Sequence, residues 1–123
     1  MRSNESAEMY LETILLLTER TSKVRAIDIA HETGYSKPSV SRAMKLLKEG
    51  ERIRIDDDGY ILLTEQGRLI ATKIVERHRC LTEFLRLLGV SEDVASEDAC
   101  RMEHIISDLT FEKMKDFLNQ NKQ

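Results

Sequence analysis

The chain has 123 residues, 41% hydrophobic and 33% charged. That suits one globular domain, or a small domain with an appendage, and argues against wholesale disorder. One proline and five glycines favour a mostly α fold. No long apolar run and no charged-then-apolar leader stands out, so neither a membrane span nor a signal peptide is expected, and a cytoplasmic location follows.

The net charge of −3 hides an asymmetry. From Lys23 to Arg54 there are eight basic and four acidic residues, and from Ile55 to the end nine basic and fourteen acidic. The local excess fits a phosphate-facing surface, although a solvated helix face gives the same count. Two cysteines, Cys80 and Cys100, are expected as thiols or metal ligands rather than as a disulfide in a reducing compartment.

Residues 5–20 predict a helix with Tyr10, Ile14 and Leu17 on one stripe, widened by Leu11 and Leu15. Thr21-Ser22 ends it. Arg25 to Thr33 predicts a short second helix that buries Ile27, Ile29 and Ala30, and Gly34 supplies the turn after it. Ser36 is a good N-cap and Pro38 fits the first turn of a third helix over 37–49. Val40, Met44 and Leu47 face inward there, leaving Ser39, Ser41, Arg42 and Lys45 outside. Two short helices ending in a Ser/Arg/Lys face form a helix-turn-helix, with the second as recognition helix.

After Gly50 the period becomes two. Arg52-Ile53-Arg54-Ile55 alternates, Asp58-Gly59 turns, and Tyr60 to Leu63 returns. A hairpin here is the wing of a winged helix, with Arg52 and Arg54 on one strand face. Three aspartates at its tip (Asp56, Asp57, Asp58) disfavour entry of the tip into a groove. Thr64 caps a long helix expected to run to Leu88, richer in apolar positions than one small domain needs. Two further helices are expected over 91–106 and 107–119, with a polar tail after them.

Two groups of metal-donor side chains stand far apart in this chain. Cys100, Glu103 and His104 are spaced i, i+3 and i+4, which on a helix puts thiol, carboxylate and imidazole on one face. Met9 and Glu12 share a face of the first helix. If the two helices cross, sulfur, oxygen and nitrogen donors surround one point. That mixture suits a divalent transition metal such as Fe(II), and Mg or Ca less well. The bland alternative makes Met9 and Cys100 core side chains and leaves Glu103 and His104 partly solvated.

In this order the motifs resemble the diphtheria-toxin-repressor and manganese-transport-regulator family of metal-dependent bacterial repressors. Glu8-Met9-Tyr10-Leu11, Ser36-Lys37-Pro38-Ser39-Val40-Ser41 and Leu63-Thr64-Glu65-Gln66-Gly67-Arg68 carry the first half of the likeness. Arg77-His78-Arg79, Phe84 to Val90 and Glu97 to His104 carry the second. The resemblance implies a homodimer on a palindromic double-stranded operator. Each subunit would hold a winged helix-turn-helix over 1–63 and a helical metal-binding and dimerisation domain over 64–123.

Iron-type members place methionine, cysteine, glutamate and histidine at the positions of Met9, Cys100, Glu103 and His104. Manganese-type members hold aspartate at the first and glutamate at the second. The resemblance therefore implies Fe(II) first and Mn(II) second, with one or two ions per subunit. Glu12 and His78 match the manganese-type paired site. The ancillary iron-type site expects glutamate and histidine where Thr82 and Ser96 stand, so Glu12 with His78 is a reduced alternative, and a structural role is the other reading of His78. In the recognition helix the family pattern places Ser36, Pro38, Ser39 and Arg42 near bases. Lys37, Lys45 and Lys48 are phosphate contacts or solvated charges, and Arg25, Ser41 and Arg52 complete the expected DNA-binding set.

The sequence thus reads as a metal-activated repressor of metal-homeostasis genes, not an enzyme, with no membrane or small organic substrate as partner. The alternatives are a winged-helix regulator whose metal is only structural, a small non-haem metalloenzyme using Glu12, His78, Glu103 and His104, and a metal buffer. No nucleophile–base pair or phosphate loop supports the enzyme, and the Ser36–Lys48 surface argues against the buffer.

Overall fold

A computed structural model describes the backbone of residues 2–121 and the side chains of residues 6–121. The order is α1 (Arg2–Thr21), α2 (Ala26–Thr33), α3 (Lys37–Glu49), β1 (Ile53–Ile55), β2 (Ile61–Leu63), α4 (Glu65–Leu87), α5 (Glu92–Met102) and α6 (Asp108–Gln120). The chain packs as two compact units, Met1–Thr72 and Lys73–Gln123, and the division falls inside α4. Among the described residues no helix is long and apolar enough to cross a membrane.

In the first unit α1 buries Tyr10, Leu11, Ile14, Leu15 and Leu17, the stripe its spacing predicts. Each such side chain contributes about 1.5–3 kcal/mol by leaving water. The helix stops where Ser22 turns to φ 66. In α2, Ile29 and Ala30 are buried but Ile27 is exposed, against the expectation. Residues two apart lie about 200° apart around a helix, so Ile27 and Ile29 cannot share a face. Gly34 closes α2 at φ 79, its N–H donating to the Ala30 carbonyl, a left-handed cap that glycine adopts without strain.

Helix α3 has the predicted bounds and buries Val40, Met44 and Leu47. The hairpin pairs antiparallel, Ile53 opposite Leu63 and Ile55 opposite Ile61. Gly59 turns at φ 85, and the Asp56 carboxylate accepts from the N–H groups of Asp58 and Tyr60, both at 2.9 Å. Arg52 does not extend β1 as expected. Its N–H donates to the Leu47 carbonyl at 2.9 Å, so it belongs to the exit from α3. Its own carbonyl accepts from Thr64 N–H at 3.0 Å, which fastens the base of the hairpin to the start of α4. Thr64 Oγ1 accepts from Gly67 N–H at 3.1 Å, the N-cap bond its residue type predicts. Gly67 is required there: a Cβ would overlap the Arg52 carbonyl oxygen.

The second unit is built from the rest of α4 with α5 and α6. Leu81, Ala99 and Phe111 form its centre, and Cys80, Met102, Ile106 and Met114 pack against them. Ala95 and Leu118 are also buried, whereas Leu88, Leu109 and Phe117 are exposed. Ser107 caps α6, its hydroxyl accepting from Thr110 N–H at 3.1 Å. Helix α5 ends at Met102, four residues short of the expected end. Beyond it the chain turns through 103–106, with Ile106 N–H donating to the Met102 carbonyl at 3.2 Å. The carbonyls of Glu103 and Ile106 accept from the Arg77 guanidinium at 3.0 and 2.9 Å, so they are engaged by a side chain of α4.

Candidate functional site

Two constellations carry chemistry, one in each unit. In the first, α3 presents its N-terminal face to solvent. Ser36 caps the helix, its Oγ accepting from Ser39 N–H at 3.3 Å and donating to Ser39 Oγ at 2.9 Å. Arg42, one turn on, donates to the same Ser39 hydroxyl at 3.4 Å. Ser36, Ser39 and Arg42 thus form one hydrogen-bonded row at i, i+3 and i+6. Lys37, Pro38, Ser41 and Lys45 stand exposed beside it. Such a row offers hydroxyl and guanidinium groups to base edges, with flanking cations for phosphates.

The other expected contacts sit apart from that row. Arg25 is the N-cap residue of α2, exposed, its guanidinium carbon 4.4 Å from the Tyr60 ring centroid. Lys23 lies over the same ring at 5.2 Å. Arg52 is half-buried, and its guanidinium turns back to donate to the Gly50 carbonyl at 2.9 Å. Behind α3, the rings of Tyr10 and Tyr35 meet edge to face at 6.0 Å. Burial raises the Tyr10 phenol above its ordinary pKa; Tyr35 adds to the shift and Arg42 opposes it.

In the second unit the centre is Glu103, whose side chain is 0% exposed. Burying a carboxylate is costly unless it is paired. Here each oxygen faces an imidazole. His78 Nδ1 lies 2.9 Å from Oε1 and His104 Nε2 lies 3.3 Å from Oε2. His78 is half-buried and belongs to α4. Glu103 is the C-cap residue of α5, still in αR geometry with its N–H donating to the Ala99 carbonyl at 2.9 Å, and His104 follows it in the turn. Cys100 is on α5 and exposed. Met9 and Glu12 belong to α1 in the first unit, both half-buried. Thr13 Oγ1 donates to the Met9 carbonyl at 2.9 Å and lies 3.7 Å from the Met9 sulfur.

Glu103 and His104 offer oxygen and nitrogen donors, types that fit a divalent transition metal better than Ca or Mg, while His78 holds the other carboxylate oxygen of Glu103. The two residues that depart from the ancillary pattern both attend His78. Thr82 Oγ1 donates to the His78 carbonyl at 2.7 Å, and Ser96 Oγ lies 3.4 Å from His78 Nε2. Sequence reasoning missed Arg77. The Arg77-His78 pair was visible as a motif, but nothing local shows that the arginine is buried or what it reaches.

A winged helix-turn-helix followed by a helical unit bearing a carboxylate–imidazole cluster defines a class of metal-responsive DNA-binding regulators. Residues 3–65 match the N-terminal DNA-binding domain of iron-dependent repressors. Residues 64–123 match the metal-binding and dimerisation domain of the same proteins. The chain belongs to the iron-dependent repressor family, whose members are metal-dependent transcriptional repressors. It is 32% identical over 117 residues to the transcriptional regulator MntR of Escherichia coli O6:H1, covering 95% of this chain and 76% of that one. It is 30% identical over 105 residues to the diphtheria toxin repressor of Corynebacterium jeikeium, covering 85% of this chain and 44% of that one. The solved manganese regulator SloR superposes with a TM-score of 0.82 at 33% identity, covering 94% of this chain and 54% of the other. This chain therefore spans about half the length of that solved regulator.

Proposed function

We propose that the chain is an Fe(II)-responsive repressor of metal-uptake genes, with Mn(II) as the second effector. Its ligands are Glu103 and His104 with Met9 and Cys100, and Glu12 and His78 supply the donors of a second position. The observation that carries this reading is the buried Glu103 carboxylate between two imidazoles. The sulfur donors of Met9 and Cys100 support Fe(II), the softer choice. When bound, the metal would supply positive charge to a carboxylate held out of water.

The protein's own residues do the rest. Arg42, Ser36 and Ser39 read base edges, and Lys37 and Lys45 hold the backbone. A dimer sets two copies of α3 on half-sites about one helical turn apart, roughly 34 Å. Effector and operator favour the same arrangement, so each raises the affinity of the other.

A second reading puts Mn(II) first. It is favoured by the Glu103–His78 contact and by the hydroxyls at Thr82 and Ser96 in place of ancillary ligands. The experiment is an anaerobic competition titration with Fe(II) and Mn(II), read by operator binding at fixed salt, for the wild type and Cys100→Glu. A carboxylate in place of the thiolate is expected to move preference towards Mn(II). An unchanged Fe/Mn ratio removes Cys100 from the ligand set, and operator binding that survives chelation reduces the metal to a structural role.

A further inference from the structure

We propose that Arg77 is the positioning residue of the metal centre: from α4 it fixes the 103–106 turn so that Glu103 and His104 are presented together. The proposal rests on the reading that these two residues are ligands.

Arg77 is 5% exposed yet carries a permanent charge. A buried guanidinium is costly unless its donors are used, and where they go is specific. One terminal nitrogen donates to the Glu103 carbonyl at 3.0 Å and to the Ile106 carbonyl at 2.9 Å, the first and last residues of the turn. The other donates to the Asp108 carboxylate, on the first residue of α6. The guanidinium carbon lies 5.3 Å from the Phe111 ring centroid. Among the described residues the buried Nε–H meets no acceptor. One side chain therefore grips both ends of a four-residue turn and the helix that follows.

Holding the Glu103 carbonyl fixes the peptide on which its carboxylate is mounted. The next residue of α4, His78, holds that carboxylate from the other end at 2.9 Å. Two consecutive residues of one helix thus clamp the backbone and the side chain of one ligand. A planar fork with separate nitrogens is needed to reach three oxygens at once, and lysine's compact ammonium cannot span them. Asp108 has an independent partner, Lys73 at 3.0 Å, so the start of α6 does not depend on Arg77 alone.

The test uses the full chain with Arg77→Lys and Asp108→Asn. Mn(II) binding is measured by calorimetry, and operator binding by anisotropy against buffered Mn(II). Arg77→Lys is expected to raise the Mn(II) midpoint by about 10–100-fold, the cost typical of losing an outer-shell partner. Operator affinity at saturating Mn(II), circular dichroism and dimer mass are expected to stay as in the wild type. Asp108→Asn is expected to shift the midpoint the same way by less, and it serves if Arg77→Lys does not fold. An unchanged midpoint in a folded Arg77→Lys overturns the proposal. So does a loss of the saturated plateau at an unchanged midpoint, the mark of a merely structural arginine. If Glu103→Gln itself leaves Mn(II) binding intact, the ligand reading fails and the proposal falls with it.

Discussion

Helix α3 and the turn at 103–106 are both short segments to which the proposed function gives roles, and they are held in different ways. Helix α3 is bounded by its neighbours in sequence: Ser36 caps one end, and Gly50 N–H donates to the Leu46 carbonyl at the other. The turn is held by Arg77, 26 residues before Glu103 in the chain. The surface proposed to read DNA is thus set by local rules, whereas the site proposed to hold the metal is set by tertiary contacts. Damage to the first should be graded and local, and damage to the second should remove a response.

The largest effect is expected at the buried carboxylate. Glu103→Gln keeps the shape but removes the charge, and metal-stimulated operator binding should disappear in an anisotropy titration with Fe(II) or Mn(II). The loss should exceed the roughly 10–100-fold of an outer-shell change. A retained metal response would break the comparison, because the tertiary site would then not be the sensor. Gly67→Ala comes next. Its methyl meets the Arg52 carbonyl, and overpacking of this kind costs about 1–3 kcal/mol, to be read by denaturant unfolding.

Ser36→Ala should cost about 1 kcal/mol through loss of the cap. It should weaken operator binding while leaving the metal midpoint where it was. A shift of that midpoint would show that the two regions are not separable in this way.

The smallest effect is in pH. The hydrogen bond from Lys73 holds the Asp108 carboxyl below its usual range, and Arg77 adds to it. A lowered pKa contributes stability above the unfolded value, about pH 4, which is lost as pH falls through the folded value. The difference in stability between wild type and Asp108→Asn should therefore be present at pH 6 and shrink below pH 4. Both groups at the Lys73 pair are largely exposed, so screening keeps the effect small. A difference that grows with acid would reverse the assignment.

The same division decides what the sequence made legible. Ser36, Pro38, Gly34 and Thr64 act on residues within three or four positions, and each marked its helix boundary in advance. The hairpin followed from alternation and from Asp58-Gly59. Ile27 was misplaced because an apolar residue in a short helix was counted without regard to its angle. The end of α5 could not be read, since Glu103 to Ile106 are compatible with helix. The Arg77 guanidinium, which donates to the Glu103 and Ile106 carbonyls, lies on α4 and is far away in sequence. The spacing brought Glu103 and His104 to notice, and the structure sets the imidazoles of His104 and His78 against the Glu103 carboxylate; nothing local in the sequence pointed to the His78 contact.

Gly67 has a consequence for how this chain can vary in length. Each residue inserted or deleted between Thr64 and Gly67 turns the later part of the helix by about 100° against Thr64, and only a hydrogen atom fits against the Arg52 carbonyl. The bond from Thr64 to that same carbonyl ties off everything between them. Insertions and deletions are therefore expected to be tolerated at the hairpin tip, Asp56 to Gly59, where added residues loop out beyond the tie. They should be excluded between Gly50 and Arg52 and between Thr64 and Gly67. A library of one-residue insertions across 50–67, sorted for folded protein, should survive as a single narrow peak at the tip.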